Sequence, residues 1–298
     1  MNSPLDYIVK NPKETKRLLG IDYEQLQQLI AIAELRHNQK QEEIEKKKIR
    51  IIKKGGGRKP QLEVTEQILL TLVYLRHSPT FQLLGWQFGV SESTANEIFH
   101  YWQEIFREIL PSSLLEQVKK CGSDCSWVRE ILTELKLIVD SSEQVRERPK
   151  EYEEQKKFYS GKKKNHTLKN QFIVLPKGKD IVDVLPGEPG PSSDINLFRE
   201  RQEEFADNQK FSGDKAYKGE PQISTPHKQP KKGKLTTAQQ QENKELSRER
   251  IGVEHLIRLV KIFKIAQERF RLLPQMYESV IFVVCGLIRL RIKALILQ

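Results

Sequence analysis

Cysteine is scarce in this chain. Its 298 residues include three, Cys121, Cys125 and Cys285. Three scattered thiols cannot build a disulfide framework. Cys121 and Cys125 stand four positions apart, and no second pair completes a tetrahedral zinc site. They read as reduced thiols of a cytoplasmic protein. Long apolar runs are missing as well. The most apolar stretch, Val280 to Ile288, lies between Glu278 and Arg289. It falls far short of the roughly 20 residues that a membrane span requires, so a core helix is expected there. Met1 to Leu19 carries charge throughout and has no apolar h-region, so no signal peptide is expected. Negative charge is in short supply, with 40 Asp+Glu against 51 Lys+Arg and a formal net charge of +11. That balance fits a polyanionic partner, above all nucleic acid, although a merely basic soluble protein would share it.

What is present organises into segments. Ile21 to Ile51 has helical periodicity, with Tyr23, Leu26, Ile30 and Ala33 on one face and almost unbroken charge from Glu42 to Lys48. Lys53-Lys54-Gly55-Gly56-Gly57-Arg58-Lys59-Pro60 follows. It reads either as a plain linker or as an arm whose Arg58 and Lys59 enter a DNA minor groove. Glu63 to Leu75 is a second predicted helix. Thr80 to Asn96 has the form of a helix-turn-helix. Gly89 suits a left-handed turn residue, Val90 plugs the helices and Ser91 caps the second one. Ser91, Ser93, Thr94 and Asn96 are then short polar groups facing base edges and phosphates. An ordinary helical hairpin would leave the same trace.

Pro111 to Trp127 reads as a connector. Beyond it the period switches to strands. Leu135 to Asp140 is predicted as a buried strand, and Thr167 to Leu175 with Asp180 to Leu185 as a hairpin around Pro176-Lys177-Gly178-Lys179. Ser192 to Ala206 is expected as a helix, Lys210 to Gly213 and Gln222 to Thr225 as short strands, and Thr237 to Ile265 as a long helix. Strand, hairpin, helix, strand, strand, helix is the order of a ribonuclease H-like mixed sheet. The expected division is a helical region over 1–52, a helix-turn-helix DNA-binding domain over 53–120 and a catalytic domain over 121–298. The fold class is therefore α+β to α/β, all-helical first and mixed-sheet after.

Three acids lie where such a fold could use them. Asp140 ends a predicted strand, Asp214 follows one, and Glu254 lies in the long helix. A carboxylate at a buried strand end is costly without a compensating cation. Two of them plus a helical glutamate make a hard oxygen set suited to Mg²⁺ or Mn²⁺. On the helix, Arg250, Glu254 and Lys261 fall within about 40° of one another, beside an apolar stripe of Val253, Leu256, Ile257, Val260 and Phe263. The rival view of each acid is bland: a strand end, a turn residue, or an i,i+4 Arg–Glu surface pair. Glu143, Asp183 and Glu249 are the nearest alternative carboxylates. The basic run Lys162, Lys163, Lys164 and His166, just before a strand, is expected to contact a DNA backbone, with a solvated loop as the alternative. His255, like His166, is a lone histidine in a basic segment, more often a phosphate or core contact than a metal ligand.

Ile138-Val139-Asp140-Ser141-Ser142-Glu143, Glu147-Arg148-Pro149 and Tyr159-Ser160-Gly161-Lys162-Lys163-Lys164-Asn165-His166-Thr167-Leu168-Lys169-Asn170-Gln171 resemble bacterial insertion-sequence transposases of the DDE class. More narrowly they resemble the insertion-sequence family five group, relatives of the Harbinger transposases. Asp214-Lys215-Ala216-Tyr217 resembles the second-acid motif, and Arg250-x3-Glu254-x6-Lys261 the third. Ser141 stands where Gly or Ala is usual, and Ala216 where Gly is usual. The resemblance implies two Mg²⁺ ions, replaceable by Mn²⁺, held by Asp140, Asp214 and Glu254. It implies double-stranded DNA partners, namely the element's terminal inverted repeats and a target. It implies strand cleavage and strand transfer within a homodimer or larger synaptic complex, in a cytoplasmic, nucleoid-associated setting. A catalytically inactive DNA-binding descendant is the competing reading, and the intact acid set argues against it. A nuclease of the same fold acting on RNA or on structured DNA fits the duplex-reading motif less well.

Overall fold

The computed structural model describes residues 3–47, 60–122, 126–230, 233–295 and 297. The chain divides into two compact units. One is Met1–Leu110 with Phe263–Ile265 and Leu295–Gln298, and the other is Pro111–Ile262 with Ala266–Ala294.

The first unit is helical: α1 (Pro4–Lys10), α2 (Thr15–Leu19), α3 (Tyr23–Lys47), α4 (Val64–His77), α5 (Phe81–Phe88) and α6 (Glu92–Ile109). Their ends follow local chemistry. The Ser3 hydroxyl accepts from the Asp6 amide while the Asp6 carboxylate accepts from the Ser3 amide, a reciprocal cap. Gly20 closes α2 with φ +89°, and a Cβ there would meet the Phe263 ring at 2.6 Å. Phe99, Trp102 and Phe106 of α6 are buried with Leu69, Leu72 and Leu75 of α4. Tyr74 stacks on Phe81 at 4.4 Å, and Phe99 tilts against both rings. The Trp102 indole N–H donates to Gln67 Oε1 at 2.9 Å, so the largest core side chain leaves no unpaired donor. The expected helix over 21–51 is present from Tyr23 to Lys47, and its last four positions lie outside the described residues.

The second unit opens with α7 (Leu114–Lys120) and α8 (Ser126–Thr133). Its strands are β1 (Lys136–Val145), β2 (Asn165–Val174), β3 (Ile181–Pro189), β4 (Lys210–Ser212) and β5 (Ile223–Ser224). A two-residue strand, Tyr159–Ser160, pairs with the start of β2 and follows α9 (Tyr152–Phe158). The helices α10 (Asp194–Arg201), α11 (Thr237–Ile262) and α12 (Tyr277–Arg291) complete it. The sheet runs β3-β2-β1-β4-β5, with β1, β2 and β3 antiparallel and β4 and β5 parallel to β1. Three antiparallel strands continued by two parallel ones, with helices on the sheet, is the ribonuclease H-like arrangement that the element order predicts.

Alternation along β1 decides what each side chain meets. Leu137 and Val139 join Ile173, Val182, Phe198, Phe211 and Tyr217 in the core on one face. Ile138 and Asp140 turn to the other face, where α11 packs. The α12 helix is buried nearly all round, as expected for a core helix. Its Arg289 is fully buried and fully engaged. It donates to both Asp180 oxygens at 2.7 and 2.9 Å, to the Pro111 and Ser113 carbonyls, and to Gln117 Oε1. Such a set of partners is what makes a buried guanidinium tolerable.

Three sequence expectations need correction. Asp140 does not end β1: the strand continues to Val145, because β2 keeps pairing opposite Ser141 through Val145. The segment read as a connector holds α7, whose Ser113 accepts from the Glu116 amide as its cap. The helix expected from Ser192 to Ala206 is regular only over Asp194–Arg201, and Ser193 precedes it without a side-chain cap bond.

Candidate active site

Asp140 sits where β1 loses its parallel neighbour. The register β1–β4 covers Lys136 to Ile138, and β4 ends at Ser212. Asp140 therefore lies just past the end of β4, while Asp214 follows that same end. Asp140 Oδ1 accepts from the Ser141 amide at 2.8 Å, and Oδ2 accepts from Arg250 Nη2 at 3.1 Å. Both side chains of that pair are 18% exposed. Burial, the largest influence, pushes the Asp140 carboxyl up; the Ser141 amide and Arg250 pull it down, and the Asp214 charge pushes it up again. The two aspartates thus feel each other across the gap between β1 and β4.

Asp214 is held by its own turn. Its Oδ1 accepts from the Ala216 amide at 2.7 Å, capping a short 3₁₀ turn over Lys215–Tyr217. Ala216 is absent from the positive-φ residues, so the glycine usual in this motif is not needed here. Gly213 is needed: a Cβ there would lie 2.9 Å from the Tyr217 ring. Tyr217 folds back beneath the site. Its hydroxyl lies 3.0 Å from Ser141 Oγ and accepts from Gln171 Nε2 at 3.1 Å. The Ser141 departure is therefore a gain of a partner, tying the first-acid strand to the second-acid turn. Desolvation holds the Tyr217 phenol well above its ordinary range, so it acts as a neutral hydrogen-bonding group.

Glu254 is carried by α11, which crosses the sheet glycine against glycine. A Cβ on Gly252 would meet the Gly178 nitrogen at 2.5 Å, and one on Gly178 would meet the Gly252 carbonyl oxygen at 2.5 Å. Bare backbone at both positions lets the helix approach the β2–β3 turn. Val253, Leu256, Ile257 and Val260 are buried, as the periodicity predicts. Glu254 itself stands at the border, its side chain 48% exposed, with Oε1 4.0 Å from Arg250 Nη2. One guanidinium thus spans the first and third acids. Lys261 lies further along the helix. Burial, then the charge of Lys163, lower its ammonium, while Asp140 raises it. The charges of Lys163 and Asp140 thus both reach this ammonium, with opposite effect.

The rival carboxylates are otherwise employed. Glu249 pairs with Lys136 at 3.0 Å, Asp183 takes a two-pronged bond from Arg201, and Glu143 accepts from Thr167 Oγ1 at 2.8 Å. Lys162, Lys163 and Lys164 are exposed on the turn between Ser160 and β2, with Lys164 at φ +50°, and His166 is half-buried on β2. His255 is exposed on α11. In the first unit, Gly89 adopts φ +71° and the Ser91 hydroxyl accepts from the Thr94 amide at 3.1 Å. Ser93 Oγ and Thr94 Oγ1 gather on Ser91 Oγ at 3.0 and 2.8 Å, and Asn96 is half-buried one turn on. The exposed first turn of α6 is the face a recognition helix offers. Arg58 and Lys59 lie outside the described residues.

Among the described residues, no three metal-ligating side chains are drawn together. The donor set nevertheless fits a hard divalent ion. Asp140 and Asp214 repel each other, and the guanidinium bonded to Asp140 also nears Glu254. A divalent ion among the three acids would relieve that repulsion with oxygen ligands only. The sequence motifs contain Tyr217 and Gln171 without indicating the hydrogen bonds they make, and Gly252 was missed altogether. The signal for Gly252 was a glycine within a long helix, costly unless backbone must approach there. Buried glutamine on a strand leaves no comparable trace.

With this geometry in place, comparison with known proteins is informative. The family model "DDE superfamily endonuclease" matches residues 139–289, and "Helix-turn-helix of DDE superfamily endonuclease" matches residues 60–112. The "Probable transposase for insertion sequence element IS702" of Microchaete diplosiphon is 34% identical over 225 residues, 74% of this chain and 77% of that one. The chain belongs to the DDE-type insertion-sequence transposases with an N-terminal helix-turn-helix. Membership carries with it DNA-directed endonuclease activity and divalent-metal use. Among solved structures, the piggyBac transposase synaptic complex with hairpin DNA aligns over all of this chain and 77% of its own, at 12% identity and a TM-score of 0.41. The Mos1 transposase paired-end complex with left transposon end covers 84% of this chain and 82% of its own, at 11% identity and a TM-score of 0.23. Likenesses this loose add nothing to the fold, which rests on the strand order.

Proposed function

We propose that this transposase holds two Mg²⁺ ions, or Mn²⁺ in their place, on Asp140, Asp214 and Glu254, and with them cuts and joins DNA at the ends of its element. The supporting observation is that Asp140 and Asp214 each stand two residues past the paired Ile138 and Ser212 of neighbouring strands, while Arg250 of α11 bonds Asp140 and lies 4.0 Å from Glu254. When bound, such ions supply Lewis-acid activation of the attacking hydroxyl and neutralise charge on the phosphoryl group. The protein's own groups do the rest. The Ser141 and Ala216 amides aim the two aspartates, the Tyr217 hydroxyl couples their segments, and Arg250 neutralises Asp140 before substrate arrives. Lys261 and Lys163 form a positive flank for the backbone beside the reacting phosphate. Lys162, Lys164 and His166 extend that flank.

Recognition of the terminal inverted repeats falls to Ser91, Ser93, Thr94 and Asn96 on α6, with Arg58 and Lys59 as an arm into the minor groove. In this reading residues 1–52 are a helical region, 53–120 the DNA-binding domain and 121–298 the catalytic domain. Two ends must be handled together, so the working form is a homodimer or larger synaptic complex on terminal and target DNA in the nucleoid. The Asp214-Lys215-Ala216-Tyr217 and Arg250-x3-Glu254-x6-Lys261 motifs favour the insertion-sequence family five group. The test is cleavage of end DNA with Mg²⁺ beside gel-shift binding. Asp140→Asn and Asp214→Asn should each abolish cutting and keep end binding. Cutting by either variant at the wild-type rate would end the reading.

A further inference from the structure

Beyond the acids, along β1 and β2, the second unit carries an open cavity of about 450 Å³ lined by Arg148, Tyr152, Gln155, Lys156, Tyr159 and His166. Asp140, Asp214 and Glu254 are not among its lining residues. The cavity is built, not incidental. Arg146 donates its amide to the His166 carbonyl at 3.0 Å, prolonging the β1–β2 ladder to its floor. Gln155 on α9 accepts from Arg148 at 2.7 Å and donates to the Pro149 carbonyl at 3.0 Å, which fixes the wall after β1. Tyr159 stands opposite His166 in the short strand pair, their rings edge to face at 5.5 Å. Tyr152 is 67% exposed and Tyr159 47% exposed, two large aromatic side chains left open amid cations. The Lys156 ammonium sits 4.5 Å from the Tyr152 ring centre.

We propose that this cavity receives an unstacked nucleobase of the DNA strand that runs past Asp140, stacked on Tyr152 and Tyr159, with Arg148 and His166 on the adjoining phosphate. The inference rests on the DNA-cutting role above and adds a base-binding subsite to it. Three features support this occupant. Exposed aromatic faces beside a positive track are how single-stranded nucleic acid is held without sequence preference. Position fits as well. From Asp140 to Arg146 is six strand residues, roughly 20 Å along β1, about the axial span of six duplex base pairs. Cations also mark that path: Lys261, which feels both Asp140 and Lys163, then the exposed Lys162 and Lys164, then Arg148 and Arg146 around His166. Three of the acids nearby face cations: Glu153 is paired with Lys156 at 3.4 Å and Glu147 with Arg269 at 3.8 Å, and Glu154 acts on Arg146; Glu143 accepts from Thr167 Oγ1 instead. Burial and the two arginines keep His166 below its usual range, so its ring is neutral near pH 7.

The test uses the full chain without divalent metal, so that its failure is separable from failure of the cleavage reading. Fluorescence anisotropy measures binding of an oligothymidylate of about ten nucleotides and of a random-sequence duplex. Tyr152→Ala and Tyr159→Ala should each weaken single-strand binding roughly five- to a hundredfold, while duplex binding changes less than about twofold. Tyr152→Phe and Tyr159→Phe should restore wild-type binding, because stacking needs the ring and not the hydroxyl. Arg148→Ala should weaken single-strand binding and lower its salt slope by about one. Unchanged single-strand binding in both alanine variants would overturn the inference. So would equal losses on duplex and single strand, or phenylalanine variants no better than alanine. Displacement of a phosphotyrosine peptide, with indifference to the oligonucleotide, would assign the cavity to a protein partner instead.

Discussion

Arg250→Ala should expose what one guanidinium contributes by facing both Asp140 and Glu254. Arg250 and Asp140 are each 18% exposed and meet at 3.1 Å. Losing one member of a fully buried pair costs about 3–5 kcal/mol, and an exposed pair contributes about 0–1. At this intermediate burial the loss should be about 2 kcal/mol at neutral pH without metal. For a unit of this size that corresponds to roughly 4–8 °C in Tm. The sign with pH follows from Asp140. Burial already holds its carboxyl above the ordinary value, and Arg250 is one of the groups restraining that rise. Without Arg250 the folded-state value climbs further. The deficit is therefore complete where Asp140 is ionised, and shrinks as pH falls through the raised titration and the fold takes up the proton. Asp140→Asn should remove most of the deficit, giving a double-mutant coupling of about 1–2 kcal/mol. Mg²⁺ should stabilise Arg250→Ala more than wild type, since no guanidinium has to leave Asp140. Differential scanning fluorimetry in chelator and in Mg²⁺, from about pH 5 to 8, measures all of this. A deficit that is independent of pH, or unchanged in the Asp140→Asn background, would refute the reasoning.

Other outcomes follow from the same geometry. Lys261→Ala should keep metal binding and lower the salt slope of end binding by about one, as read from titrations at several ionic strengths. Gly252→Ala places a methyl 2.5 Å from the Gly178 nitrogen and should cost about 1–3 kcal/mol in a denaturant titration, with cleavage falling because Glu254 moves with α11. Asn96→Ala should leave the melting temperature near wild type and reduce discrimination of end from random DNA, by about 1–3 kcal/mol in competition gel shifts.

Much of this molecule was legible in its sequence. The helical stripe of Val253, Leu256, Ile257 and Val260, the hairpin around Pro176–Lys179 and the turn at Gly89 all came from period and turn chemistry, and all are present. Those signals are local, and so is the chemistry that satisfies them. The misreadings were of another kind. Strand β1 runs past Asp140 because Thr167 to Gln171 of β2, distant in sequence, pair with it, which Ser141, Ser142 and Glu143 do not announce. The α7 helix escaped notice because its short apolar face is completed by partners elsewhere in the core. The site repeats this pattern. Three acids could be nominated one by one, but the guanidinium spanning Asp140 and Glu254 depends on how α11 crosses the sheet. The Gly178–Gly252 contact that sets the crossing, like the Ser141–Tyr217 tie, exists only in three dimensions.

The most direct test of the central claim is Mn²⁺ binding to the full chain on an end-DNA duplex, followed by electron paramagnetic resonance. Wild type should bind two ions, Asp140→Asn, Asp214→Asn and Glu254→Gln should each lose at least one, and Glu249→Gln, whose parent carboxylate is paired with Lys136, should bind like wild type. Full occupancy in Glu254→Gln together with loss in Glu249→Gln would contradict the assignment of the third acid.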